Sequence, residues 1–271
     1  MSSEVLTGGV PAVVASEPAT ESGAAAAVFL VDKPVGPSSF RIVQQVRRAL
    51  GIRKVGHAGT LDPFASGLLV ICAGRPATRL IAQLMAGDKE YEATLRLGVE
   101  TDTQDLEGTI VATRPVPLFD RATVARCLAG FVGEQLQTPP RFSALKYQGK
   151  PLYYYARRGV EVSKEPRRVV ISRIDCLDLG PDTLTIRVAC GKGTYIRALA
   201  QDIGAVLGCG AHLIELRRLR SGPFSVSDSL PGTALAEREE ARELLAASRR
   251  SVEEILDLLK EWQDRGASPQ Q

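Results

Sequence analysis

A short glycine-rich segment contains the residues best suited to chemistry. Lys54 to Leu69 read KVGHAGTLDPFASGLL, with three glycines, one of the two histidines of the chain and an aspartate, Asp62, directly before a proline. A residue before proline favours extended backbone, so its side chain projects from a loop, and a carboxylate placed in this way can act as nucleophile or general base. We expect the glycines to let the backbone fold closely around Asp62. Asp-Pro is also an ordinary turn signal, and on spacing alone a turn is the more frequent outcome.

The residue types that commonly bind metals or nucleotide cofactors lack the spacing that a metal site or a cofactor site requires. Five cysteines lie far apart without a C-x-x-C pair, and two histidines cannot complete a zinc site with them, so reduced thiols in a cytosolic protein are expected. His57 could be a base, a ring that stacks on a nucleobase, or a hydrogen-bonded loop residue. Gly191 to Thr194 resemble a nucleotide-binding turn, but Ile186 and Ile196 stand where the two known motifs need glycine. What remains there is a glycine turn that leads into a helix N-terminus, which suits an anion.

A basic, tyrosine-rich stretch points to RNA. Residues 138–159 read TPPRFSALKYQGKPLYYYARRG and place four of the six tyrosines among five Lys and Arg residues. Aromatic rings stack on bases and cations meet phosphates, which is what single-stranded or looped RNA requires. The alternative is a solvated basic helix with half-buried tyrosines, which does not require the tyrosines to cluster.

The charge distribution agrees with a polyanionic partner. Residues 1–27 hold three acids and no base, and residues 234–271 hold six bases and nine acids, which leaves 28 bases against 19 acids in between. No apolar run approaches the roughly 18 residues that span a bilayer. Residues 1–27 have no signal-peptide pattern and are expected to form a disordered tail.

The elements that must position these residues alternate irregularly between strands and helices. Without a regular βα repeat, the pattern favours a mixed α+β sheet over a doubly wound one. In YEATLRLG the alternation places Tyr91 on an apolar strand face, either in the core or facing a pocket. The expected elements are strands near 28–31, 68–73, 91–98 and 183–190, and helices from Ser38 or Ser39 to Leu50, from Pro76 to Gly87, after Asp120, over 193–208 with Ile196, Leu199, Ile203, Val206 and Leu207 inward, and one or two between Leu235 and Trp262.

Six segments, in order, resemble the TruB family of bacterial tRNA pseudouridine-55 synthases. They cover most of 28–220: DKPVGPSS (32–39), GHAGTLDPFASGLL (56–69), DKEYEATLRLG (88–98) with TDTQD (101–105), TPPRFSALKYQGKPLYYYARRGVEV (138–162), GKGTYIRALAQDIG (191–204) and LGCGAHLIELRRL (207–219).

The resemblance implies a fold, an activity and partners. The fold is α+β, a mixed and largely antiparallel sheet with flanking helices. The activity is isomerisation of uridine-55 in the T-stem-loop of tRNA to pseudouridine by base flipping and an aspartate nucleophile, with help to tRNA folding as a second role. Neither a metal nor an organic cofactor is implied. A cytoplasmic monomer that does not bind membranes and needs no protein partner is expected.

The resemblance also assigns residues. Asp62 matches the nucleophile, Tyr91 the tyrosine that stacks on the target base and helps to remove a proton, and Arg197 the partner of the aspartate. Among the substrate-binding residues, Tyr195 and Leu216 match the lining of the uracil pocket, His57 packs against flipped nucleotides, and Lys33 is a phosphate contact or an indirect one. The others are Gly59 in the glycine-rich segment and, in the RNA-gripping insertion near 138–162, Arg141, Lys146, Arg157 and Arg158.

The domain boundaries follow from the same match. We expect a tail at 1–27, a catalytic domain at 28–230 and a short helical segment at 231–271 in which no C-terminal RNA-binding domain is recognisable. Phe142 stands where the family commonly has tyrosine. The rival interpretations are a synthase acting on another RNA, a tRNA-folding chaperone that does not need catalysis, and a nucleotide-cofactor oxidoreductase built on 183–204, which Ile196 disfavours.

Overall fold

The computed structural model describes residues 26–143, 145–160, 162 and 164–267. Of the tail expected at 1–27, residues 1–25 lie outside this described part. The strands are β1 (Ala27–Lys33), β2 (Val55–Ala58), β3 (Ser66–Ala73), β4 (Lys89–Leu97), β5 (Val99–Thr101), β6 (Ile110–Thr113), β7 (Gly133–Gln137), β8 (Lys146–Tyr147), β9 (Lys150–Pro151), β10 (Arg167–Leu179), β11 (Thr183–Cys190), β12 (Ala211–Ser221), β13 (Phe224–Ser225) and β14 (Leu230–Pro231). The α-helices are α1 (Ser39–Leu50), α2 (Arg75–Arg79), α3 (Ile81–Ala86), α4 (Arg121–Ala129), α5 (Leu152–Ala156), α6 (Ile196–Val206), α7 (Arg238–Ala247) and α8 (Val252–Ala267).

One ten-stranded sheet organises the described residues. Its order is β14-β1-β3-β12-β4-β11-β10-β7, with β13 added to β12 and β2 to β3. The pairs β1–β14 and β3–β12 are parallel and the other pairs are antiparallel. The prediction of a mixed, largely antiparallel α+β sheet is therefore confirmed.

Apolar side chains fill both faces of the sheet near β1 and β3. In β1, Phe29 and Val31 belong to one core and Val28 and Leu30 to the other, as the alternation of a strand requires. The first core also contains the buried side chains of α1 and α6, and the second contains those of α8. Helices therefore cover both faces of the sheet near β3, the strand that follows the segment with Asp62.

The predicted ends of α1 are correct. The Ser38 hydroxyl caps the helix by accepting a hydrogen bond from the Arg41 amide at 3.2 Å, and Gly51 ends it in the left-handed region with φ of 66°. The helix expected from Pro76 to Gly87 is instead two helices, because the Leu80 amide bonds back to the Ala77 carbonyl and tightens the turn between them.

Helix α6 confirms most of its expected stripe. Ile196, Leu199 and Ile203 are buried, but the prediction for Val206 is wrong, since its side chain is 65% exposed. Val206 is the last residue of the helix and lies at the edge of the stripe.

The C-terminal segment packs on the same body. Helix α7 contacts α1 and α8 contacts β1, and Leu245, Ile255 and Leu259 are buried in these contacts. The backbone of Val28 also exchanges two hydrogen bonds with that of Arg250, at 3.0 and 3.1 Å. No helix in the described ranges is long and apolar enough to cross a membrane.

Candidate active site

Asp62 lies in the loop between β2 and β3, and both its backbone and its carboxylate are held by other residues. Its carbonyl accepts a hydrogen bond from the Ala65 amide at 3.1 Å, so Asp62 does begin a turn. Its carboxylate receives the Arg197 Nε at 2.9 Å, while 34% of the side chain stays exposed. A turn at Asp62 and a partly exposed carboxylate are therefore compatible, since the backbone forms the turn and the side chain forms the pair with Arg197.

Arg197 brings three separate segments together. It is the second residue of α6, its side chain is only 4% exposed, and it pairs with Asp62 and, at 3.3 Å through Nη1, with Asp105. Its Nη1 also donates to the Thr103 carbonyl at 2.9 Å and its Nη2 to the Phe142 carbonyl at 2.7 Å. A planar guanidinium can satisfy such diverging acceptors at once. Sequence reasoning gave Asp105 no role, although TDTQD was part of the family match.

The electrostatics of Asp62 result from two opposed effects. Burial raises the pKa of Asp62 above its ordinary value of 3.8, and the charge of Arg197 works in the opposite direction. The second carboxylate, Asp105, adds to the rise. Arg197 is thus the main group that favours the ionised form a nucleophile needs.

Tyr91 and Leu216 lie side by side on neighbouring strands. Tyr91, in the middle of the sheet on β4, is 9% exposed, and Leu216 on β12 is 8% exposed and pairs with Ala93. Burial raises the pKa of Tyr91, while the charge and a hydrogen bond of Arg218 oppose that rise. The hydroxyl is therefore protonated at neutral pH, and it interacts electrostatically with Asp62.

Arg218 was not singled out from the sequence. It pairs with Tyr91 across β4–β12 and is 2% exposed, and it donates from Nε to the Leu68 carbonyl at 2.7 Å and from Nη2 to the Gly59 carbonyl at 3.0 Å. A period of two on β12 places Leu216 and Arg218 on one face, and that alternation was the available signal.

The glycines of the segment make room for Arg218. A Cβ on Gly59, at φ of 95°, would lie 3.4 Å from Arg218 Nη1, and one on Gly67, at φ of 100°, would lie 2.3 Å from the Arg218 carbonyl oxygen. A Cβ on Gly56 would instead meet Ile81 at 2.9 Å. The atoms nearest to these positions thus belong to Arg218 and Ile81, and the expectation that the glycines let the backbone fold closely around Asp62 stays a prediction.

His57 and Lys33 lie beneath the loop. His57 is on β2, not in a loop, and its pKa is lowered by burial and by the charge of Arg218, so the ring is neutral at pH 7. Lys33 is fully buried, and its Nζ donates to the carbonyls of Pro34, Pro37 and Pro63 at 2.9, 2.8 and 3.3 Å. Burial lowers the pKa of Lys33 to about 8. Of its two expected roles, these contacts match the indirect one, since Pro63 follows Asp62.

Tyr195 occupies the cap position before α6 and is half-buried. The side chain of Gln137 accepts from the Tyr195 amide at 2.7 Å and donates to the Tyr195 carbonyl at 3.1 Å. This pair of bonds fixes the start of the helix that carries Arg197. Nothing in the sequence marked Gln137, because a glutamine at the end of a strand has no distinctive spacing.

In the RNA-gripping insertion the cations lie against the tyrosines. Arg158 lies 3.6 Å and Lys150 4.3 Å from the centre of the Tyr154 ring, and Arg157 lies 5.5 Å from that of Tyr153. The charged residues predicted to bind RNA are all exposed: Arg141, Lys146, Arg157 and Arg158. The insertion is joined to the Asp62–Arg197 pair through the Phe142 carbonyl, which accepts from Arg197.

Comparison with known proteins gives one consistent result. Residues 47–196 match the model of the TruB family pseudouridylate synthase N-terminal domain, and residues 197–257 match that of the tRNA pseudouridylate synthase B C-terminal domain. A tRNA pseudouridine synthase B of Desulfotalea psychrophila is 56% identical over 87% of this chain and 97% of its own length. One of Syntrophotalea carbinolica is 48% identical over 85% and 76%.

Solved structures agree. A chain in the crystal structure of a Cbf5-Nop10-Gar1 complex superposes with a TM-score of 0.65 at 29% identity, over 86% of this chain and 62% of that one. A chain of an H/ACA RNP bound to a substrate RNA containing 2'-deoxyuridine gives 0.60 at 28% identity, over 86% and 61%. The chain thus spans less than two thirds of these structural relatives. On the family match and the curated relatives, the chain belongs to the TruB family of pseudouridylate synthases and is an isomerase that makes pseudouridine in tRNA.

Proposed function

We propose that the enzyme converts uridine 55 in the T-loop of tRNA, and that it flips this base into a pocket where Asp62 is the nucleophile. The observation that supports this most strongly is the Asp62–Arg197 pair, in which a buried guanidinium holds a carboxylate that is still one third exposed. A buried cation at 2.9 Å favours the ionised form, and the exposed part of the side chain leaves access for a substrate.

The reaction breaks the bond between N1 of the base and the sugar and makes one from C5 to the same carbon. N1 gains a proton and C5 loses one, so no cofactor is consumed. Asp62 holds the sugar or the base while the base rotates. Arg197 keeps the carboxylate in one orientation through the exchange, because its other three contacts fix the guanidinium itself.

The uracil ring is received by side chains of three elements. Tyr91 on β4 offers a ring face and a hydroxyl, Leu216 on β12 offers an apolar contact, and Tyr195 stands at the start of α6. Extruding a base costs a few kcal/mol, and less from a loop than from a duplex, which suits the T-loop as substrate.

The exposed cations of the insertion grip the RNA backbone. Lys150 and Arg158 both lie against the Tyr154 ring, and Arg158 Nη1 also donates to the Tyr154 carbonyl at 3.1 Å. Tyr154 thus acts as a support for phosphate-binding groups, and the more exposed Tyr147 and Tyr153 are left to stack on bases. The H/ACA RNP that contains one of the structural relatives is bound to a substrate RNA, which agrees with a role for this fold in acting on RNA.

The test is to map the product. An unmodified tRNA transcript is incubated with the wild type, with Asp62→Asn, and with Asp182→Asn as a control whose exposed carboxylate pairs with Arg96. Carbodiimide-stop sequencing then locates pseudouridine. We expect product at position 55 from the wild type and the control, and none from Asp62→Asn. Product elsewhere in tRNA would overturn the assignment of position 55, and full activity of Asp62→Asn would overturn the nucleophile.

Assistance to tRNA folding is a second proposed role. It is supported by the exposure of Arg157 and Arg158, neither of which is among the groups that Arg197 contacts, so that a change at Asp62 leaves these cations available for binding. We expect Asp62→Asn to accelerate refolding of a misfolded tRNA transcript as the wild type does, and the double variant Arg157→Ala, Arg158→Ala to lose this effect. Equal acceleration by both would contradict the role of the insertion.

The domain assignment and the working state of the enzyme are also proposals. Residues 28–230 form the catalytic domain with the insertion near 138–162, residues 231–271 support it, and the enzyme acts as a cytoplasmic monomer. The packing of α7 on α1 and of α8 on β1 supports the role proposed for residues 231–271. Sedimentation equilibrium in the presence of tRNA should give one chain per tRNA, and a dimer would overturn the monomer.

A further inference from the structure

Arg218 is a buried cation without a carboxylate beside it. The neighbouring Arg217 pairs with Asp32 at 2.7 Å, and Arg197 pairs with Asp62 and Asp105. Among the described residues no such ion pair is made by Arg218, although it is 2% exposed. Burying a charge is costly unless other groups compensate for it, so a guanidinium in this position calls for an explanation beyond packing.

Its contacts converge on the reacting groups. The two carbonyls that it binds belong to Gly59 and Leu68, which lie on either side of Asp62 in the chain. Across the β4–β12 pair it stands directly opposite Tyr91 and acts on the hydroxyl of that residue. Gly67 on β3 lets that strand approach β12, since any side chain at this position would meet the backbone of Arg218.

The chemistry of a guanidinium decides the direction of this contact. Arginine has only donors, so in any hydrogen bond between the two residues the Tyr91 oxygen accepts, and the tyrosine proton points away from Arg218. The Tyr91 proton is then free to point toward Asp62, and one lone pair of the oxygen remains for the substrate. The positive charge also stabilises an oxygen that becomes more negative during proton transfer.

We propose that Arg218 is a positioning residue that acts through Tyr91 in the removal of the C5 proton. This rests on the proposed role of Tyr91. In that step the C5–H bond breaks and its electrons restore the C5–C6 double bond. The Tyr91 oxygen takes this proton and hands its own to the Asp62 carboxylate, which is free at this stage because the sugar carbon is already bonded to C5. Asp62 then releases that proton to solvent and N1 takes one from solvent, so no net proton is gained or lost. Arg218 holds the tyrosine oxygen in the orientation that this relay needs.

A double-mutant cycle tests the coupling. Single-turnover rates are measured for Tyr91→Phe, Arg218→Gln and the double variant. We expect each single change to lower the rate by about tenfold or more, and Arg218→Gln to add less than about threefold in the Tyr91→Phe background. Independent, multiplicative losses would overturn the proposal. If Tyr91→Phe alone leaves the rate unchanged, it is the role of Tyr91 that fails, so the two failures are distinguishable.

A tRNA containing uridine deuterated at C5 provides the second readout. A loop that is merely displaced would slow every step and leave the isotope effect as in the wild type. We expect Arg218→Gln to enlarge the deuterium effect, with tRNA affinity within about threefold of the wild type. An unchanged isotope effect together with a slower rate would show a purely structural role and overturn the proposal.

Two further variants make the test independent of folding. Arg217→Gln is the matched control, since Arg217 is next in the strand but partly exposed, and we expect its rate and isotope effect to be those of the wild type. If Arg218→Gln is unfolded at the assay temperature, Arg218→Lys takes its place in the cycle. It keeps the charge but cannot span three acceptors, and it is expected to show the same non-additivity with Tyr91→Phe at a smaller loss. Additive losses for Arg218→Lys would likewise overturn the proposal.

Discussion

Replacing Arg197 by glutamine tests the electrostatic account of the site. The change removes the cation from between Asp62 and Asp105 and leaves two carboxylates without their partner. Removing one member of a buried pair costs about 3–5 kcal/mol. Asp105 is almost completely buried and contributes in full, whereas Asp62 is 34% exposed and contributes less because solvent screens it. We therefore expect the lower half of that range in the free energy of unfolding at pH 7.

Arg96→Gln is the matched control for this change. Arg96 and Asp182 are 2.7 Å apart, closer than Arg197 and Asp62, but their side chains are 44% and 41% exposed. An exposed pair contributes about 0–1 kcal/mol, so urea unfolding should separate the two variants clearly. A loss for Arg197→Gln no larger than that for Arg96→Gln would refute the reasoning.

The same variant should also change the pH dependence. Burial already raises the pKa of Asp62 above 3.8, and without Arg197 nothing comparable opposes it, so the acid limb of the single-turnover rate should move to higher pH. Because the raised pKa makes the folded state bind the proton more tightly than the unfolded chain, the stability lost in Arg197→Gln should be partly recovered as pH falls toward 4. An acid limb in the wild-type position would contradict this.

Three further outcomes are expected. Tyr154→Ala should raise the KM for tRNA several-fold with little change in kcat, as its ring supports two cations. Tyr154→Phe keeps the ring but loses the hydroxyl that accepts from Lys150 Nζ at 3.1 Å, so it should raise the KM less; equal losses would mean that the hydroxyl, and not the ring, supports the cations. Gly67→Ala should destabilise the fold by about 3 kcal/mol or more in thermal unfolding, because its Cβ would clash with the backbone of Arg218. Gly193→Ala is the control: its Cβ meets nothing within 4 Å, so it should cost only about 1 kcal/mol of backbone strain. Similar costs for the two variants would refute the clash. Since burial lowers the pKa of Lys33 to about 8 from 10.5, the wild type should gain stability relative to Lys33→Met as pH rises through that interval, and a flat difference in unfolding free energy would argue against it.

Local patterns in the sequence predict what depends on neighbours along the chain. The cap at Ser38, the left-handed Gly51 and the buried face of β4 follow from residue type and period alone, and each is present. The position of Val206 was misjudged because a helical period does not say where the helix ends.

The interior of the site depends on long-range contacts that no local pattern contains. The two arginines of LRRL have the same chemistry, yet Arg217 reaches Asp32 and solvent while Arg218 is enclosed beneath the loop of Asp62. The alternation on β12 groups Arg218 with Leu216, but it does not say which face is enclosed. That follows from the parallel pairing of β12 with β3, which joins residues about 150 positions apart. The ion pair between Asp105 and Arg197 is likewise a long-range contact that no local pattern contains.

The position of β1 has a consequence for synthesis on the ribosome. Of the strands in the described residues, this one emerges first, but it lies between β3 and β14, and Val28 is hydrogen-bonded to Arg250, which emerges more than 220 residues later. Contacts of such high sequence separation form late and slowly. The growing chain must therefore carry an apolar strand with one unsatisfied edge through most of its translation, and we expect this stretch to be where nascent-chain chaperones engage it.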